Sequence, residues 1–255
     1  MADFPKPSFI IGGAPRCGTT WLCHALERHP EVALAKPLIP EPKVFLAPEC
    51  DETLLARRYT ALFAGASPAA TILGEKTSYY LENEAAFERI RRFLPDLKLV
   101  FLLREPVARA FSNWQWSRQN GIETLGFEEA IASEGTRPDP FPPEMAYVRP
   151  FDYLTRGHYD RFAERWLSGF PKSSLFFALY EDLIDTPAAV MQRLCPFLGI
   201  APGDFDYSSV GVINPANKDT APLAAEIANR LRDRLRPSVT RFAELTGLDV
   251  ARWGY

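Results

Sequence analysis

The stretch Phe9–Leu22, "FIIGGAPRCGTTWL", constrains the fold more than any other part of the chain. Phe9-Ile10-Ile11 reads as a short buried strand, and Gly12-Gly13 breaks it. Gly18-Thr19-Thr20 then opens a helix expected to run to about Arg28, before Pro30 ends it. A strand, a tight glycine turn and a helix N-terminus, in that order, make an anion site. The free N–H groups of the first helical turn point out of the helix, and the macrodipole adds partial positive charge. Gly13 and Gly18 let the backbone of the run Gly13, Ala14, Pro15, Arg16, Cys17, Gly18 bend close to an anion. Thr19 and Thr20 add hydroxyl donors, and Arg16 adds a full charge on a planar fork.

The same alternation continues along the chain. Thr71–Leu73 predicts a second strand, ending in Gly74-Glu75-Lys76. Asn83 caps a helix that gathers Ala86, Phe87, Ile90 and Phe93-Leu94 on one face. Lys98–Leu103 is a third strand, and Pro106 suits the first turn of the helix after it. Gly157–Gly169 reads as a helix, Leu175–Leu179 as a fourth strand, and Thr186-Pro187 as the start of another helix. Two further helices are expected near Leu223–Leu235 and Ser238–Leu245. Strands alternating with helices predict an α/β fold: one domain over residues 1–255, with a central parallel sheet flanked by helices. Three stretches, 35–49, 136–150 and 203–220, lack regular patterning, and loops this long usually serve function or move.

Composition narrows the function classes. A net charge of −3 offers no general attraction to nucleic acid or to an acidic membrane surface, so an anion site must be a local gathering of positive charge. The four cysteines, Cys17, Cys23, Cys50 and Cys195, have no metal-ligand spacing and read as reduced. The start "MADFPKPSF" lacks a secretory pattern, and the longest apolar runs are strand-sized. The expectation is a cytoplasmic protein with no membrane span and no bound metal.

The loop has the spacing of a nucleoside-triphosphate loop, but Thr19 stands where the lysine that reaches the terminal phosphates should be. The strand "LKLVFLL" is followed by Arg104, where a triphosphate enzyme would typically place a metal-binding Asp. Arg104 at a strand end either pairs with a carboxylate such as Glu105 or holds a second phosphate. A P-loop small-molecule or nucleotide kinase is the alternative reading, and it lacks both of these parts. "APRCGTTWL" resembles the 5′-phosphosulfate loop of the sulfotransferases that use 3′-phosphoadenosine 5′-phosphosulfate (PAPS), with Arg16 where many members carry lysine. "LLREPVARAFSNW" resembles that family's 3′-phosphate motif, which implies that Arg104 and Ser112 grip the 3′-phosphate. The resemblance runs from Phe9 to Trp253. It implies a P-loop-like fold of the sulfotransferase type, PAPS as co-substrate, and Gly13 to Trp21 around the 5′ end, with Trp21 against the adenine.

Sulfuryl transfer requires a base for the acceptor proton and positive charge near the leaving oxygen. No segment matches the histidine base of the cytosolic branch. "GEKTSYYL" resembles the EKS/EKT motif of the heparan-type sulfotransferases, which implies Glu75 as general base, with Lys76 steadying the sulfuryl oxygens or holding Glu75. A solvated Glu75–Lys76 pair after a strand is the plain alternative. Tyr79 and Tyr80 are either pocket walls or core. "EPKVF" resembles a segment before the acceptor cleft, with Lys43 toward cofactor or acceptor, and "INPANKD" a late loop that implies Lys218 over the cofactor. Arg109 reads as a helix-surface charge. The acceptor stays open among a sugar, a lipid and a small molecule bearing a hydroxyl or an amine.

Overall fold

Five short strands form one parallel sheet in the computed structural model, which describes residues 4–203, 205–210 and 221–255. The strands are β1 (Phe9–Gly13), β2 (Val32–Leu34), β3 (Ile72–Lys76), β4 (Lys98–Leu103) and β5 (Leu175–Leu179). Their order is β2-β3-β1-β4-β5, so β1 lies at the centre with β3 and β4 beside it. Every pairing is parallel, as crossover connections through helices require. Parallel strands are covered on both faces and read as continuous apolar runs. β1 and almost all of β4 are buried accordingly.

β2 was absent from the sequence expectation. It has three residues, which is too short for a period to show. β3 also differs: Glu75 and Lys76 lie inside the strand, paired with Ile10 and Ile11 of β1, rather than after its end.

The chain divides into two compact units. The first, Met1–Leu103 with Trp166–Ile213, holds the sheet. Its helices include α1 (Thr19–Leu26), α2 (Glu52–Leu62), α3 (Glu84–Phe93), α7 (Tyr180–Asp185) and α8 (Pro187–Leu198). Asn83 caps α3 as its residue type predicts, with Oδ1 accepting the Ala86 N–H at 2.8 Å. Phe87, Trp166 and Phe101 pack together, and the Trp166 indole N–H donates to the Leu81 carbonyl at 2.9 Å.

The second unit, Arg104–Arg165 with Asn214–Tyr255, is helical. It contains α4 (Pro106–Gln119), α5 (Phe127–Ala132) and α9 (Ala225–Thr246), while α6 (Tyr159–Gly169) carries the chain back to the first unit. Glu105 caps α4 by accepting the Val107 and Ala108 N–H groups at 3.1 and 2.6 Å, and it also accepts the Tyr255 hydroxyl at 2.6 Å. Glu105 therefore serves the helix end and the Tyr255 hydroxyl.

Two expectations change here. The two late helices are a single one, α9, with Pro237 inside it. Proline removes one N–H donor and usually breaks a helix. The buried positions Leu231, Leu235, Val239 and Phe242 continue one apolar face through it, and that packing outweighs the local cost. Arg109 is also not a surface charge. It is fully buried, and its guanidinium donates to the Tyr153 carbonyl.

Candidate active site

The loop after β1 is built as the sequence predicts. Gly18 takes the N-cap position of α1 with φ +81°, a left-handed conformation that glycine adopts at little cost. Arg16 has φ +68°, which a residue with a Cβ adopts only when its surroundings enforce it. The Ala14 N–H donates to the Leu102 carbonyl of β4 at 2.7 Å, and the Cys17 N–H to the Ala14 carbonyl at 3.3 Å. The loop is thus pinned to the sheet. Ala14, Pro15, Cys17 and Thr19 are buried, while Arg16, Gly18 and Thr20 stay partly open. Trp21, expected against the adenine, is 8% exposed.

Beside α1 sits a compact polar group. Lys76, at the end of β3, donates from Nζ to Thr20 Oγ1 at 3.1 Å. The same ammonium lies 2.8 Å from Glu41 Oε1. Glu41 also accepts the Ser78 N–H at 3.1 Å and the Ser78 hydroxyl at 2.8 Å. Lys76 and Glu41 keep side-chain exposures of 4% and 12%. The Lys76 ammonium therefore lies within hydrogen-bond distance of both a loop hydroxyl and the Glu41 carboxylate.

Glu75 is placed differently from its expected role. It is fully buried. Tyr59 donates its hydroxyl to Oε2 at 2.5 Å, and Tyr80 and Thr77 donate theirs to Oε1 at 2.6 and 2.9 Å. Burial pushes its carboxyl up from the ordinary range, and the three hydroxyl bonds oppose that only in part. Alternate side chains of a strand point to opposite faces. Inside β3, Lys76 reaches the loop, and Glu75, one residue before it, turns into the core. A proton acceptor must come within about 3 Å of the group it deprotonates, and both oxygens of Glu75 are engaged by the hydroxyls of Tyr59, Tyr80 and Thr77. Glu41, by contrast, keeps a side-chain exposure of 12% beside the Lys76 ammonium. Sequence reasoning passed over it although it opens the segment "EPKVF"; the signal was a carboxylate two residues before the Lys43 singled out there.

The remaining expected residues are distributed as follows. The Lys43 N–H donates to Thr77 Oγ1 at 3.0 Å, and Lys43 adopts φ +54°. Tyr79 is partly exposed, whereas Tyr80 is buried and belongs to the Glu75 cluster. In the second unit, Ser112 is buried on α4 and Arg104 is partly exposed, with its carbonyl accepting the Tyr159 hydroxyl at 2.9 Å. Lys218 and the segment "INPANKD" lie outside the described residues. No helix among the described residues is long and apolar enough to cross a membrane.

Fold and site together define an α/β protein of the phosphate-binding-loop class, with a cation and a carboxylate gathered at the loop helix. The model of the sulfotransferase family matches residues 7–204, and the chain belongs to that family. It is 29% identical over 200 residues to the bovine bifunctional heparan sulfate N-deacetylase/N-sulfotransferase 2, covering 77% of this chain and 22% of that protein. It is 27% identical over 270 residues to human heparan sulfate glucosamine 3-O-sulfotransferase 6, covering 97% of this chain and 74% of that one. Among solved structures, a sulfotransferase from Alicyclobacillus acidocaldarius superposes with a TM-score of 0.79 at 25% identity, over 98% of this chain and 99% of that chain. The mouse sulfotransferase SULT7A1 complexed with PAP shares the fold, with a TM-score of 0.54 at 15% identity over 98% and 87% of the two chains. The chain spans about a fifth of the length of the bifunctional relatives it matches.

Proposed function

We propose that the whole chain works as one PAPS-dependent sulfotransferase module. It would move the sulfuryl group of PAPS to a hydroxyl or amine and release adenosine 3′,5′-bisphosphate. The observation that carries this reading is the bridge from Thr20 through Lys76 to Glu41 at the N-terminus of α1. The loop amides, Arg16, Thr19 and Thr20 bind the 5′-phosphosulfate, where partial and full positive charge offset its own. Arg104 and Ser112 bind the 3′-phosphate, as their motif implies. The Lys76 ammonium faces the charge that develops on the oxygen leaving sulfur. Glu41, in place of the Glu75 expected from sequence, accepts the acceptor's proton as the new bond to sulfur forms and the bond from sulfur to the bridging phosphate oxygen breaks. The match to a glucosamine sulfotransferase supports a sugar acceptor, and the segment 36–49, which carries Glu41, is the proposed place where it docks.

The test is transfer of labelled sulfate from PAPS to a panel of sugars, lipids and small alcohols in the presence of EDTA, beside ATP turnover with Mg²⁺. Transfer in EDTA supports the reading. ATP-dependent phosphorylation without sulfate transfer would make the chain a kinase and overturn it.

A further inference from the structure

Glu75 has no task in the proposed reaction, yet the fold provides it with an unusual setting. Its carboxylate is sealed in the core with three hydroxyl donors and no cation among its hydrogen-bond partners. Burying a carboxylate this way costs free energy that a well-packed hydrophobe would not. What the hydroxyls do on their other side supplies a reason to keep it.

An ionised carboxylate only accepts hydrogen bonds, so each hydroxyl that meets it must spend its single proton there. The lone pairs of that hydroxyl are then left to accept. Thr77 Oγ1 accepts the Lys43 N–H at 3.0 Å, and Tyr80 Oη accepts the Phe45 N–H at 3.0 Å. Both N–H groups belong to the segment that begins at Glu41. The carbonyls of the same segment are held from α2 and α3. Arg58 donates to the Val44 carbonyl at 3.2 Å, and Arg89 donates to those of Phe45 and Ala47 at 2.8 and 2.6 Å. Of these two sets of anchors, the N–H set depends on which way two hydroxyl protons point.

We infer that Glu75 is a positioning residue: by taking the protons of Thr77 and Tyr80 it turns both hydroxyls to receive the Lys43 and Phe45 N–H groups, and so fixes the segment from which Glu41 reaches Lys76. The inference rests on the reading of Glu41 as the base. It gives the Glu-Lys pair of β3 a divided labour: Lys76 faces the reacting groups, and Glu75 sets the backbone that brings a carboxylate to Lys76. Remove the buried acceptor, and either hydroxyl can rotate its proton toward the N–H it now binds. That places donor against donor and releases the segment.

The test is amide hydrogen exchange on the full chain, together with kinetics. Glu75→Met keeps the side chain's length and removes both acceptor atoms. It should speed exchange at the Lys43 and Phe45 amides by about tenfold, the worth of a lost hydrogen bond, while amides of β4 stay unchanged. Glu75→Gln should protect both amides better than Met, because its carbonyl can face Thr77 and Tyr80. Thr77→Val should expose the Lys43 amide alone, and Tyr80→Phe the Phe45 amide alone. In kinetics, Glu75→Met should lower kcat by about tenfold and keep the acid limb of the pH–rate profile, whereas Glu41→Gln should abolish that limb.

Unchanged exchange at 43 and 45 overturns the inference. So does an equal rise throughout β4, or loss of the acid limb in Glu75→Met. Should that variant fail to fold, the single-amide pattern of Thr77→Val and Tyr80→Phe decides the matter, and its absence counts against the relay. If the wild-type protein transfers no sulfate from PAPS, the functional reading falls, while the exchange pattern still reports on the relay independently.

Discussion

Glu75 in the first unit and Glu123 in the second are both buried, and they are held in opposite ways. Glu123 meets Arg137 with two parallel bonds of 2.9 Å, accepts the Thr124 and Leu125 N–H groups at 2.9 Å each, and accepts the Tyr153 hydroxyl at 2.7 Å. Burial alone would push its carboxyl up, but the Arg137 bonds and the amides outweigh that and hold it at about 2. Glu75 meets hydroxyls only, and burial leaves its carboxyl raised. A bidentate guanidinium fixes a charge and ties down the chain that bears it, here the start of the irregular stretch 136–150. Neutral hydroxyls instead pass orientation onward. Burial of a glutamate therefore does not reveal its task; its donors do. Both are more deeply buried than Glu41, the proposed base, which is 12% exposed.

The largest expected effect tests that assignment. Glu41→Gln should reduce turnover by about 10³-fold, the scale of a lost general base, with affinity for adenosine 3′,5′-bisphosphate within twofold of wild type by titration. Full activity in Glu41→Gln would break the contrast and return the proton to another group.

Next is the anchor itself. Glu123→Gln leaves Arg137 half-paired in a largely buried site and should cost about 3 kcal/mol in denaturant unfolding at neutral pH. The pH dependence has a definite sign. The folded value lies below the ordinary 4.5, so the Glu123 contribution is present above 4.5 and is lost as pH falls through about 2. The gap between wild type and variant should therefore close on acidification from pH 6 to pH 2. Glu75 has the reverse sign. With its value raised, its titration favours the fold most below the unfolded value, and that contribution is lost as pH rises through the folded one. A constant gap for Glu123→Gln across this window would show that Arg137 is not what holds the charge.

The division between a reacting first unit and an anchoring second one is itself exposed to test by Arg104. It belongs to the second unit, yet the proposed reading gives it the 3′-phosphate of the nucleotide. Arg104→Ala should weaken adenosine 3′,5′-bisphosphate binding by about 10- to 50-fold, the range for a charge-assisted hydrogen bond, with kcat at saturating PAPS changed far less. Unaltered affinity would confine nucleotide binding to the loop after β1.

How far these roles were legible in the sequence depended on whether the signal was local. The loop, the Asn83 cap, Pro106 at a helix start and strand β4 all follow from neighbouring residues, and the structure has them where the sequence places them. β2 was too short to carry a period, and the continuity of α9 through Pro237 comes from packing that no window of sequence displays. The site divides the same way. "GEKTSYYL" drew attention to the right strand, but which member of Glu75-Lys76 faces the loop depends on the pleat and on its register with β1. Glu41 gains its meaning only from Lys76, which is distant in sequence and adjacent in space. Glu123 gave no sign at all, since its partner Arg137 lies in a proline-rich stretch without a pattern.

The smallest effect is expected at Gly18, and it measures how much of the first unit's stability resides in its functional loop. A Cβ on Gly18 would sit 3.0 Å from Tyr180 Cδ2 and 3.2 Å from Leu183 Cδ2, both side-chain atoms of α7, and it would be held at φ +81°. Left-handed backbone costs a residue with a Cβ about 1 kcal/mol, and the tyrosine ring can yield by a few tenths of an ångström. Gly18→Ala should therefore lose about 1–2 kcal/mol in denaturant unfolding, less than Glu123→Gln, with exchange at the Lys43 and Phe45 amides unchanged. Arg16 shows that the loop already tolerates one such residue. A loss as large as that of Glu123→Gln would mean that the loop anchors its unit as firmly as the Glu123–Arg137 pair anchors the other. The distinction drawn between a site that reacts and a cluster that holds would then fail in the first unit.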